Sequence, residues 1–244
     1  MKQSRFRGLL FYSMVFLLVS CSGGETEKKT STDSTATDTT AAVVAPKVTT
    51  ITTPENMLVI MHKVSNYAKW KASYDEHDSV RLANGIHNYV IGRGFKDSNM
   101  VLVAVKVDDT AKAKAFAKDP GLKKAMQKGG VTGTPTFSLS TMVFQDTVMM
   151  STNLRARTTY MVKDWAAWQK AFEEGRREIM DNGLTVRAYG HSSGNDKKII
   201  IVSAITDTAK AFAYYKSDAI KKRRAEGGVI GEPDRFLYTV VQRY

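Results

Sequence analysis

One stretch of the chain gathers residue types able to bind a small molecule and move a proton. Tyr67, Trp70, Tyr74, His77 and Arg81 follow each other at spacings of three and four, so at about 100° per residue they share one stripe of a helix. His62 lies just upstream, in register with Ile60 and Val64 on an apolar run of strand character. An imidazole exchanges a proton near neutral pH, and a guanidinium holds an anionic or carbonyl group through its planar fork. The candidate ligand pocket is therefore His62, Trp70, Tyr74, His77 and Arg81, suited to a small anionic or aromatic ligand. A second arrangement stays open at this point. Arg81 near the helix end would snorkel outward onto the terminal carbonyls, leaving His77 exposed between Glu76 and Asp78.

Other chemistries are absent. The single cysteine, Cys21, excludes an internal disulfide, a cysteine zinc site and a Cys–His nucleophile in the folded part. No His-Glu-x-x-His pair, Gly-rich phosphate loop or Gly-x-Ser-x-Gly elbow occurs, so neither a metal site nor a resident cofactor is expected. The net charge is +12, but the basic residues are scattered and nowhere interleaved with aromatics, which argues against nucleic acid. The one dense cluster, Lys221 to Arg224, reads as a solvated helix end.

The elements that must position these residues come in two copies. A shift of 98 residues superposes Trp70 on Trp168, Asn84-Gly85 on Asn182-Gly183, and Asp109-Thr110-Ala111-Lys112-Ala113 on Asp207-Thr208-Ala209-Lys210-Ala211. Gly92 falls on Gly190, and Gly129-Gly130-Val131 on Gly227-Gly228-Val229. Each unit begins with a strand (Met57–Val64 or Leu154–Val162), then a helix capped by Asn66 or Asp164 and stopped by Asn-Gly. A hairpin follows: His87–Phe95 with Met100–Val107, or Thr185–His191 with Ile199–Ile205. A helix opens at Asp-Thr-Ala-Lys, broken at Asp119-Pro120 in unit one. The final strand is Thr136–Phe144 or Arg235–Val241. The order β-α-β-β-α-β is the ferredoxin-like unit, an antiparallel sheet with helices on one face. The uncovered apolar face needs a partner, and a second copy in the same chain supplies it sheet to sheet. The fold class is thus α+β, tandem ferredoxin-like repeats closing an intramolecular α/β barrel, which predicts a monomer.

The ordered pattern over residues 57–244 resembles the dimeric α/β-barrel superfamily, which includes antibiotic-biosynthesis-monooxygenase-like proteins. That resemblance implies a ligand cavity between helices and sheet. It does not imply one activity, because the superfamily spans oxygenases, haem-degrading enzymes, isomerases and proteins without known activity. By the same analogy, haem held by one of the histidines is a minor alternative. The histidines His62, His77, His87 and His191 are unmatched between units. His77 and Arg81 face Gly175 and Ile179 in the second unit, so any site belongs to the first.

The N-terminal region reads as an export segment. Lys2, Arg5 and Arg7 precede an apolar run from Gly8 to Val19, short for a membrane span but suited to a signal peptide. Leu18-Val19-Ser20-Cys21 resembles a bacterial lipobox, which implies acylation of Cys21 and anchorage in a lipid membrane. Ser22 after the cysteine implies the outer membrane of the cell envelope. Residues 1–20 are then the signal, and 21–53, rich in Thr and Ser, a disordered tether. Residues 54–146 and 147–244 are the two repeats. Removing the signal takes three positive charges and leaves +9. The expected function is a membrane-anchored, exported small-ligand-binding or interaction module. The alternative is a cofactor-independent monooxygenase- or isomerase-like enzyme with one site in repeat 1.

Overall fold

A computed structural model describes residues 49–244; the signal, Cys21 and most of the tether lie outside them. Repeat 1 comprises β2 (Glu55–Val64), α1 (Tyr67–Glu76), α2 (Asp78–Ala83), β3 (Ile86–Gly94), β4 (Met100–Val107), α3 (Thr110–Phe116), α4 (Pro120–Lys128) and β5 (Val131–Asp146). Repeat 2 comprises β6 (Leu154–Val162), α5 (Trp165–Glu174), α6 (Arg176–Asp181), β7 (Leu184–Ser192), β8 (Asn195–Ile205), α7 (Thr208–Tyr214), α8 (Asp218–Glu226) and β9 (Val229–Arg243). Among the described residues no helix is long and apolar enough to cross a membrane.

Every helical segment except α2 and α6, which continue from the breaks at His77 and Gly175, starts where a side chain satisfies free backbone N–H groups of its first turn. Asn66 accepts from Lys69 N at 2.9 Å and Asp164 from Ala167 N at 2.8 Å, each cap contributing about 1 kcal/mol. Asn84-Gly85 and Asn182-Gly183 end the first helical runs, with Gly85 and Gly183 at φ 66° and 74°. Only glycine enters that region at little cost.

The strands order β5-β2-β4-β3-β9-β6-β8-β7, and β7 pairs back onto β5, so the sheet closes into an eight-strand ring within one chain. The duplication is visible in the register. Leu58 faces Val105, as Ala156 faces Ser203, 98 residues on. The halves meet at two seams of the same design, Gly92 opposite Val240 on β3–β9 and Gly190 opposite Met142 on β7–β5. Closure leaves no long unpaired edge on the ring.

Three apolar clusters follow from strand alternation. One packs between the helices and sheet of repeat 1, around Leu58, Trp70, Ile91 and Val103. Its counterpart in repeat 2 surrounds Ala156, Trp168, Phe172 and Ile201. The third fills part of the ring's interior with side chains of both repeats, among them Met57, Leu102, Tyr238 and Val240.

Several expectations need correction. The helix carrying the candidate stripe is two segments broken at His77, whose φ and ψ are −96° and 14°; the second repeat breaks likewise at Gly175. The second helix of repeat 2 also breaks, and Ser217 caps its second part. β8 begins at Asn195, four residues earlier than the apolar content indicated, because a tight turn at Ser193-Gly194 lets polar residues pair. The final strands start at Val131 and Val229, with Gly133 and Pro135 absorbed in an irregular pairing between Met61 and Lys63. The last residues assigned to the tether are docked: Thr50–Ile51 form β1 against Gln145 and Asp146, and Thr147 N donates to Thr49 O at 2.7 Å.

Candidate functional site

His62, Trp70, Tyr74, His77 and Arg81 all line one cavity of about 270 Å³ between the helices and sheet of repeat 1. The floor is β-sheet, including Leu58 and Val103, and the roof includes Leu122 and Ala125 of α4. Trp70, 3 % exposed, stacks on Tyr74 with centroids 5.2 Å apart and lies 5.4 Å from the His62 ring.

Arg81 turns inward despite its place near the helix end, where the Tyr74 carbonyl, Asn88 and Asp78 receive its donors. It is 6 % exposed, its guanidinium 3.6 Å over the Tyr74 ring. Each of its three nitrogens has a protein partner. Nη1 donates to Tyr74 O at 2.6 Å, Nε to Asn88 Oδ1 at 3.2 Å and Nη2 to Asp78 Oδ1 at 3.1 Å. The Tyr74 hydroxyl donates to the same Asn88 oxygen at 2.5 Å, and Asn88 Nδ2 donates to Asp78 at 2.6 Å. Arg81 is thereby tied to Tyr74, Asn88 and Asp78, and it holds the Tyr74 ring in place. His77 is held by its Nδ1 at 2.8 Å from Ser73 O. A carbonyl only accepts, so that nitrogen carries the proton.

His62 is different. It is 4 % exposed, and both ring nitrogens are buried without a hydrogen-bond partner. Burial pushes its pKa down to about 4, so the ring is neutral at pH 7, with one N–H to donate and one nitrogen to accept. A buried polar group left unsatisfied costs about 1–3 kcal/mol.

Repeat 2 shows what closes such a space. The residue 98 beyond His62 is Tyr160, whose hydroxyl accepts the Trp168 indole N–H at 3.0 Å. The residue 98 beyond Ala125 is Arg223, whose guanidinium lies over Gly175, pairs with Glu178 and leaves room for only about 80 Å³. Arg223 is thus not part of a solvated helix end, as its neighbours Lys221 and Lys222 are. Ala125, Phe116 and Asn88 are site residues that the stripe did not reveal. Their signal was the mismatch with Arg223, Tyr214 and Val186 at the 98-residue shift.

No family model matches the chain, and no curated protein does so significantly. Solved structures do. A Fusobacterium nucleatum protein that carries a monooxygenase name superposes with a TM-score of 0.50 at 13% identity, over 78% of this chain and 93% of that one. An anthrone oxidase-like protein gives 0.50 at 14%, over 78% and 92%. A protein with a chlorite dismutase name gives 0.50 at 16%, over 77% and 95%. The chain has the fold of the ferredoxin-like, monooxygenase-type α/β barrels. Identities this low carry the fold of those barrels and no activity.

Haem can be tested against the cavity itself. The free nitrogen of His62 has the chemistry of an axial ligand. Yet the cavity of about 270 Å³ beside Trp70 is below the range of roughly 300–1,000 Å³ that takes drug-sized ligands. A porphyrin is larger than most of those, so haem does not fit this cavity. Among the described residues no group of three His, Cys, Asp or Glu could hold a metal ion.

Proposed function

We propose that the chain is an exported, lipid-anchored binder of a small, neutral, largely aromatic molecule bearing one hydroxyl or carbonyl, seated in the repeat 1 cavity. The observation that carries this reading is His62, unpartnered on the wall of an otherwise apolar cavity. Tyr74, Arg81 and Asn88 are bonded to one another and to Asp78, and His77 is anchored through Nδ1, so among the polar side chains of this wall His62 alone has no protein partner at all. A dry cavity of about 150 Å³ accepts benzene, so 270 Å³ corresponds to roughly two fused rings.

A bicyclic phenol, 2-naphthol, is the direct probe. It is expected to raise the melting temperature of the protein, as any ligand of the folded state does. Ala125→Phe, which fills the roof as Arg223 fills repeat 2, should melt at or above the wild-type temperature and show no response. A response of equal size in that variant, or none in the wild type, would discard the site. His62→Phe should keep naphthalene affinity while weakening 2-naphthol about tenfold, the worth of one hydrogen bond.

Catalysis at the same site is the second reading, supported by the oxygenase names among proteins of this fold. The acidity of His62 weighs against base catalysis. Taking a proton from a phenol of pKa about 10 onto an imidazole of pKa about 4 is uphill by six units, on the order of 8 kcal/mol. A catalytic base works best near the operating pH. His62 is suited to accept a hydrogen bond and keep it.

The envelope assignment rests on Leu18-Val19-Ser20-Cys21. Labelled palmitate is expected to enter the chain in a bacterial host and to be lost in Cys21→Ala. Retention of label in that variant would withdraw the anchor.

A further inference from the structure

The ring's interior lies across the sheet from the helix-side cavity, with His62 at the edge of both, and the two repeats furnish it differently. The inward positions of β2 are Met57, Val59 and Met61. The positions 98 residues on, in β6, are Arg155, Arg157 and Thr159. One end of the interior opens into a cavity of about 620 Å³. Its walls include Thr136 and Ser138 of β5 and Arg157 and Thr159 of β6, and Lys198 and Asp234 stand exposed at the rim.

The arginines are short of partners. Arg157 forms no ion pair among the described residues, and its Nε is buried without a hydrogen-bond partner. Arg155, the next inward residue, is 2 % exposed. Its Nη1 donates to Thr152 O at 2.8 Å and Leu154 O at 2.9 Å, while its Nη2 is buried and unpartnered. Burial lowers the pKa of both. Two cations at alternate strand positions lie about 7 Å apart, and an uncompensated buried charge is expensive. Asp234 is the one carboxylate lining this mouth; it attracts Arg157 through space, but no ion pair joins the two. At the opposite end the charges are closed off: Arg187 pairs with Asp146 at 2.7 Å.

We infer that the open end of the ring's interior is a second binding site, for a small oxyanion. The Arg157 fork would hold two oxygens of a phosphate or carboxylate, the arrangement guanidinium geometry favours. The hydroxyls of Thr159, Thr136 and Ser138 would complete the shell, and Lys198 would attract the anion to the rim. A ring built only from the repeat 1 pattern would have Val59 in place of Arg157 and no such site.

The test uses the purified full chain at constant ionic strength set with sodium chloride. Inorganic phosphate and acetate are titrated separately, which distinguishes phosphate from carboxylate preference. The preferred anion should raise the melting temperature by about 3 °C at ten times its Kd. Arg157→Met should abolish the rise and, without anion, melt at or above the wild-type temperature, since a poorly compensated charge is gone. Thr159→Val keeps every charge and should weaken the response several-fold. Ala125→Phe, which closes the helix-side cavity, should leave it unchanged, so this site stands or falls apart from the aromatic one. An equal response in Arg157→Met overturns the inference. So does the lack of any response to either anion up to about 50 mM, where a millimolar site would be saturated.

Discussion

Gly190→Ala is expected to cost the fold about 3 kcal/mol or more and to lower the melting temperature by roughly 6–12 °C. Gly190 sits in β7 opposite Met142 of β5, where the second repeat closes back onto the first. A Cβ there would lie 2.7 Å from Met142 Cα and 2.9 Å from the Thr141 carbonyl carbon, and closer still to Thr141 O. All three are backbone atoms, so no rotamer change relieves the clash; the seam itself must part. Gly92 occupies the same place at the other seam, but the obstacle is the ring of Tyr238, with Cε2 at 2.9 Å. A side chain can shift, so Gly92→Ala should cost less. Hydrogen exchange gives the local readout. In Gly190→Ala, amides of β7 facing β5 should exchange faster than those shared by β2 and β4. A variant within about 1 kcal/mol of wild type with unchanged exchange would show that the β5–β7 pairing is not a rigid closure.

The second large effect is on acid stability. His62 has a folded pKa of about 4 against about 6.5 in an unfolded chain. Below pH 6.5 the unfolded state binds a proton that the folded state refuses, so stability falls as pH falls toward 4 and levels off below it. Between pH 7 and 4.5 this one group removes about 2.5 kcal/mol. His62→Phe should erase that slope, so its advantage over wild type grows by that amount on acidification. Urea unfolding at both pH values measures it. Parallel curves for the two proteins would mean that the imidazole is hydrated or partnered, and the ligand argument built on its isolation would fall with it. Saturation with 2-naphthol should steepen the wild-type dependence, because a hydrogen bond to neutral His62 opposes protonation further.

The duplication was legible because caps and stops are local. Asn66, Asp164 and the two Asn-Gly pairs act through their own neighbours, and the structure places them at the helix ends. Alternation along β2 also placed His62 on the helix side with Leu58 and Ile60. What could not be read locally was long-range. Arg81 faces inward because Asn88, in the following strand, and Asp78 take its donors, and no periodicity in the helix states that. The basic run Lys221 to Arg224 looked uniform, yet Arg223 finds Glu178 45 residues away while Lys221 and Lys222 stay exposed. Thr50 and Ile51 continue the Thr-rich composition of the segment before them, and they form a strand where Gln145 and Asp146 offer free strand edge. The charged interior was hidden for the same reason: Arg155 and Arg157 alternate like any surface strand, and only ring closure puts them inside.

Closure within one chain has an evolutionary and a stoichiometric side. Were the same ring assembled from two identical chains, every substitution would appear twice about a two-fold axis. A residue such as Arg157 would then confront its own image across the lumen, and Ala125 could not open one cavity without opening the other. Covalent joining lifts that symmetry. One half is free to become ballast, its pocket plugged by Arg223 and Tyr160, while the other keeps a vacancy. The consequence is one roomy helix-side cavity per ring and, on the interior, a single guanidinium at the mouth instead of an opposed pair.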